Sequence, residues 1–147
     1  MRREIDKYFS QYLTSQKLTK DMIKNDDTSV MELKKNIIEL ILSNRKKVFV
    51  SSIYTYDSFF KTMPVEDSYT IITHKSKPAC ILKTLKVETV KFKDLNSKNL
   101  EGELKDNDID KWKSDNIGIF ETECREALRV FNPEVPIVIE NFELVYN

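Results

Sequence analysis

The chain has little of what builds phosphate loops, metal sites or disulfide scaffolds: its 147 residues include two glycines, two cysteines and one histidine. With glycine so scarce, no Gly-rich loop exists whose backbone amides would cradle phosphates, so nucleotide-dependent phosphoryl transfer and dinucleotide binding are poorly supported. Cys80 and Cys124 lie far apart with no companion at metal-ligand spacing. They read as buried free thiols in a reducing compartment. His74 sits in a lysine-rich turn without an acidic or cysteine neighbour, which reads as a surface histidine. Neither metal nor cofactor is expected. A surplus of charge is missing too, because 24 basic and 24 acidic residues cancel. Nucleic-acid contact must therefore rely on a local patch, and bulk DNA coating is not expected. No apolar run approaches membrane-spanning length, and the first residues turn amphipathic at once. The expectation is a soluble cytoplasmic protein without a membrane partner; the oligomeric state stays open.

What is present points to one α+β domain over residues 1–147, with 1–43 mainly helical and the strands within 47–146. Ile5, Tyr8, Phe9, Tyr12 and Leu13 recur at helical spacing, and Leu18, Met22 and Ile23 suggest a second short helix. Asn25 to Ser29 reads as a capping cluster, followed by a helix through Val30, Leu33, Ile37, Ile38, Ile41 and Leu42 that ends near Ser43-Asn44. Strand signals occupy Val48–Tyr54, Tyr69–Thr73, Ala79–Phe92 and Val135–Tyr146, the last expected to lie centrally. His74 to Pro78 reads as a hairpin turn. Asp57–Asp67 reads as a loop and Asp94–Leu100 as a short helix. Ile109, Trp112, Phe120, Cys124, Leu128 and Phe131 trace a helix capped by Asn107 or Asp108 and stopped by Asn132-Pro133.

One glycine stands between two acids, in Glu101-Gly102-Glu103. Glycine frees the backbone for positive φ, and the flanking carboxylates can serve as general base and hydrogen-bond acceptor. The alternative is a solvated turn whose acids favour the following helix. Lys46 and Lys47 lie where a helix meets a strand; Lys46 can bind phosphate or activate a hydroxyl, or else act as a helix C-terminal cation. Ser51 is a cleft hydroxyl or an ordinary strand serine. Trp112 and Phe120 share a helical face and read as core before base-stacking surface. Lys75, Lys77, Lys91 and Lys93 edge a basic patch or protect strand edges.

The element order, Lys46 at the junction, Lys77-Pro78-Ala79-Cys80-Ile81-Leu82, Glu101-Gly102-Glu103 before Trp112, and the terminal Glu140-Asn141-Phe142-Glu143-Leu144-Val145-Tyr146 together resemble the ASCH domain family. The likeness is closest to the bacterial subgroup of this length and covers nearly the whole chain. It implies a PUA-like small mixed β-barrel decorated by N-terminal helices and a helix before the last strand. It also implies a cleft for RNA or a nucleotide-like small molecule. In family members similar to amidohydrolases of acylated cytidine, the junction lysine, the junction threonine and a glutamate of the acidic motif are catalytic; by position these are Lys46, Phe49 and Glu103. The junction motif Gly-x-Lys-x-x-Thr keeps only its lysine. A Pro-x-Gly-Asp turn becomes Pro64-Val65-Glu66-Asp67, and Asn116 replaces the histidine of a Trp-Arg-x-x-His-x-x-Phe-Phe helix. A phenyl ring neither attacks a carbonyl nor donates a hydrogen bond, so catalysis would need Ser51 or another hydroxyl.

The resulting candidates are Lys46 and Glu103 for catalysis, with Lys47, Ser51, Glu101 and Asn116 binding substrate. The leading expectation is an RNA- or nucleotide-binding domain. Its rivals are a hydrolase, amidohydrolase or ribonuclease, acting on a modified nucleoside or RNA, and a non-catalytic interaction domain with a degenerate site.

Overall fold

The computed structural model describes residues 2–19, 22, 28–57, 62–104 and 108–147. Among them are three α-helices and five strands: α1 (Arg2–Ser15), β1 (Thr28–Glu32), α2 (Lys35–Leu42), β2 (Val48–Ser52), β3 (Tyr69–His74), β4 (Lys77–Lys91), α3 (Ile109–Glu126) and β5 (Pro136–Tyr146). The strands run in the order β1-β3-β4-β5-β2. β1 pairs with β3 in parallel, whereas β3–β4 and β2–β5 are antiparallel. This is the expected α+β fold with a mixed sheet, and β5, the most continuously apolar strand, lies inside the sheet as expected.

The chain divides into two compact units: Met1–Lys47, Val65–Lys86 and Phe142–Asn147 form the first, Val48–Pro64 and Val87–Asn141 the second. In the first, the apolar stripe of α1 buries Ile5, Phe9, Tyr12 and Leu13 against Tyr69, Ile71 and Ile81. Aromatic rings dominate this core, with Phe9, Tyr12 and Tyr146 each within about 6 Å of a neighbouring ring. Burial pushes the Tyr8 phenol up to about 12, and its hydroxyl donates to the Ala79 carbonyl at 3.2 Å. In the second unit, Val48, Phe92, Leu95, Phe120, Cys124, Val135, Ile137 and Ile139 form the core, with Trp112 packed against it. Trp112 and Phe120 are thus core residues. Both cysteines are buried free thiols.

Four expectations change. Residues 28–32 form a strand where a helix was expected from Val30 onward. Lys34 is extended at φ −73, ψ 151, and the Leu33 amide bonds to the Thr73 carbonyl, continuing the ladder. β-Branched Thr28 and Val30 suit that strand, and Val30 and Leu33 matched the helical period of Ile37 and Ile41 by coincidence. Met22 is 64% exposed and contributes nothing to a core. α3 stops at Ala127: Leu128 takes φ 60 and is 95% exposed, while Phe131 still packs against the core beyond the helix. Finally, Phe92–Asp94 makes a 3₁₀ turn, and turns rather than a helix continue to Leu100. Ile23, Asn25–Asp27, Ser58–Phe60 and Asn107 lie outside the described residues.

Candidate functional site

The helix-to-strand junction is locally fixed. Asn44 adopts the left-handed conformation at φ 60. Its amide bonds to the Ile41 carbonyl at 3.0 Å, and the Arg45 amide reaches back to the Leu40 carbonyl at 2.8 Å. That pair of bonds closes the helix end in a Schellman motif. The Lys46 amide shares the Leu40 carbonyl at 3.1 Å, and the Phe142 amide takes the Lys47 carbonyl at 3.0 Å. The lysines therefore leave a rigid corner. Both line an open cleft of about 390 Å³ with Asn44, Ile41, Leu85, Phe142, Glu143 and Leu144, all within the first unit. Lys46 is half-buried and Lys47 exposed.

Ser51, Glu101, Glu103 and Asn116 belong to the second unit. Gly102 has φ 90, which a side chain would strain, so the expected positive-φ turn is present. The Glu103 amide closes that turn onto the carbonyl of Leu100, a fully buried residue. Glu103 is half-buried, whereas Glu101 is exposed. Of the two acids, Glu103 has the restrained position. Asn116 stands mid-α3, where its amide donates to the Trp112 carbonyl one turn back at 2.9 Å.

Ser51 sits on β2, whose register with β5 sets Phe49 opposite Glu140 and Ser51 opposite Val138. Alternation puts Phe49, Ser51, Val138 and Glu140 on one face of this ladder, while Val48, Val50, Ile137 and Ile139 pack into the core on the other. Glu140 is 8% exposed, and Phe49 and Ser51 are half-buried. Beyond β2 the chain turns through a 3₁₀ segment, Ile53–Asp57, that brings Tyr56 alongside. Burial pushes the Tyr56 phenol up; its hydrogen bond with Ser51 opposes that rise, and the charges of Glu140 and Glu123 reinforce it.

On the core side, Glu123 of α3 accepts the Ser52 amide at 2.8 Å. The Arg129 guanidinium lies 4.3 Å from the Tyr54 ring centroid, a cation–π contact. Ser52 Oγ and Thr55 Oγ1 are buried without a hydrogen bond of ordinary geometry. Burial also pushes the Cys124 thiol up. Among the described residues, no group of three or more His, Cys, Asp and Glu side chains could hold a metal ion.

The ASCH domain family model matches residues 21–146. The chain belongs to the ASCH domain family. Its fold is that of the ASCH domain from Lactobacillus crispatus, with a TM-score of 0.81 at 23% identity over 100% of this chain and 97% of the other. A protein from Enterococcus faecalis V583 aligns with a TM-score of 0.79 at 22% identity, over 99% of this chain and 90% of its own. No curated protein matches the sequence. No helix among the described residues is long and apolar enough to cross a membrane.

Within this ASCH domain, Glu140, Tyr56 and Glu123 are polar groups near Ser51 and Ser52 that sequence reasoning did not single out. A glutamate inside the apolar run Ile137-Val138-Ile139 was the available signal for Glu140, since an acid there must face a polar partner or a cleft. Tyr56 and Glu123 had none, because only the fold brings them near Ser51 and Ser52. Two lysines of the suggested basic patch are paired: Lys91 and Lys93 both contact Glu134, at 2.9 and 2.5 Å.

Proposed function

We propose that this ASCH domain binds RNA or a nucleotide-like small molecule, with a phosphate held at the Lys46–Lys47 corner. The observation that carries this reading is the cleft itself. Two cations stand on a hydrogen-bonded helix end, beside a polar Asn44 and apolar walls from Ile41, Leu85 and Leu144. Its volume falls in the range of small-ligand pockets. With net charge zero, affinity comes from these local contacts and not from a general field.

Two phosphate contacts give a log–log salt slope of about −1.4 for a single strand, so affinity falls about sevenfold between ~50 and 200 mM salt. Fluorescence anisotropy of a short labelled oligoribonucleotide measures this. The Lys46→Ala/Lys47→Ala variant flattens the slope; salt-insensitive binding by the wild type, or no binding, overturns the proposal.

A hydrolase is the second reading, favoured by the half-buried Glu103 on its positive-φ turn as general base. Turnover of acylated nucleosides or RNA that Glu103→Gln abolishes without unfolding the protein would support it. Unchanged turnover in that variant removes Glu103 from the mechanism, and absence of turnover leaves the binding function alone.

A further inference from the structure

The corner that ends α2 divides the run Arg45-Lys46-Lys47 between two hollows. Lys46 and Lys47 line the cleft described above, whereas Arg45 lines a second, shallower hollow of about 460 Å³ with Asn36, Glu39, Leu40 and Ser43. Both lie within the first unit. Ile41, Asn44 and Lys46 face one hollow, and the residue before each, Leu40, Ser43 and Arg45, faces the other. Successive helical residues point about 100° apart, so the hollows occupy neighbouring faces of α2, roughly 9 Å apart around its circumference. The two hollows repeat one chemistry. Each sets a cation beside a carboxylate, Lys47 with Glu143 and Arg45 with Glu39, and all four side chains are exposed. Among the described residues no ion pair joins Lys47 to Glu143 or Arg45 to Glu39, so both charges of each hollow are open to a ligand.

We infer that Arg45 forms a second phosphate subsite and that the ligand is a single-stranded RNA crossing both hollows, with Glu143 and Glu39 accepting ribose 2′-hydroxyls. One phosphate cannot contact both cations across that span. A strand offers successive phosphates, and a guanidinium grips a phosphate through paired N–H donors. A carboxylate beside a phosphate site repels further anions but accepts a hydroxyl proton. Ribose supplies that hydroxyl next to its phosphate, and deoxyribose lacks it. The alternation of cation and carboxylate thus matches the alternation of phosphate and 2′-hydroxyl along RNA. Leu40 and Leu85, 37% and 47% exposed, offer apolar contact to bases at the two hollows. The junction motif specifies no residue at the position of Arg45, so this subsite is a feature of the present sequence and not of the motif. The inference rests on the RNA- or nucleotide-binding reading and deepens it: the ligand is a strand, not a free nucleotide.

Fluorescence anisotropy of the full chain with a labelled oligoribonucleotide about 8 nucleotides long, within the usual span of single-strand sites, tests this. A third phosphate contact steepens the log–log salt slope from about −1.4 for the lysine cleft alone to about −2.1. Arg45→Ala returns the slope to about −1.4, and Arg45→Lys keeps it steep. A nucleoside monophosphate, with its single phosphate, competes equally well against wild type and Arg45→Ala. DNA of the same sequence binds about threefold or more weakly than the RNA, and Glu39→Gln/Glu143→Gln abolishes that difference. All the replaced side chains are exposed, so the variants retain the wild-type melting temperature. An unchanged slope in Arg45→Ala overturns the inference. So does equal affinity for RNA and DNA, a discrimination that survives loss of both carboxylates, or a nucleoside triphosphate that competes as strongly as the strand. Binding with the two-lysine slope alone defeats this inference and leaves the broader reading standing, whereas no RNA binding by the wild type overturns both.

Discussion

Glu32 shows how much one exposed side chain can organise. Its carboxylate accepts from the Lys75 amide at 2.7 Å, the Ser76 amide at 3.1 Å and the Thr73 hydroxyl at 2.8 Å. Those bonds tie strand β1 to the β3–β4 turn and hold the carboxyl below its usual range, the Ser76 amide contributing most. A carboxyl depressed in the folded state contributes stability above its unfolded pKa and loses it as pH falls through the folded value. Glu32→Gln therefore lowers the melting temperature at neutral pH. The gap between variant and wild type closes as pH drops below the ordinary glutamate range, which thermal melts across an acid series check. Glu134 follows the same sign: its bonds to Lys93 and Lys91 hold it down to about 2, so its pairing survives further into acid. Gly102 makes the complementary case through the backbone. At φ 90, Gly102→Ala strains the turn and destabilises the protein by about 1–2 kcal/mol in denaturant titration.

At the scale of elements, much was legible in the sequence wherever a period and its punctuation agreed. Helix α1 had its apolar stripe, α3 its cap and β5 its apolar run. Asp108 does cap α3, accepting the Lys111 amide at 3.0 Å, and Asp108→Ala costs about 1 kcal/mol in chemical unfolding. Strand β1 was not legible because its neighbour β3 lies some forty positions on, and local residues fitted two periods equally. The candidate site was legible only in part. Lys46 and Lys47 were visible from the junction, but the partners of Ser51 come from cross-strand register, which no local signal encodes. The β3–β4 hairpin offers a direct test of turn chemistry. Lys75 and Ser76 take φ 50 and 66, the pair of positive values that a two-residue type I′ turn requires. Replacing them with Asn-Gly relieves that strain and stabilises the protein by about 0.5–1 kcal/mol in thermal or chemical melts.

For the molecule as a whole, family and fold are settled while chemistry rests on a few side chains. The ASCH scaffold is retained at 23% identity to a solved relative, with buried cores that repeat the expected aromatic and aliphatic pattern. Core positions tolerate little: Phe120, 1% exposed, destabilises by about 3–5 kcal/mol when truncated to alanine, measured by denaturant unfolding. Polar positions are where this chain differs from the motif it resembles, with Phe49 and Asn116 in place of a hydroxyl and an imidazole. The two compact units described above carry a further consequence. Each is assembled from separated stretches of chain, three for one and two for the other, and β4 and β5 each contribute to both. No single cut yields a self-sufficient fragment. Neither core closes until distant segments meet: β1 waits for β3, and the Tyr8 hydroxyl waits for Ala79, 71 positions later. Such wiring places the chain among the slower-folding small proteins, and during synthesis α1 must leave the ribosome long before the strands it covers.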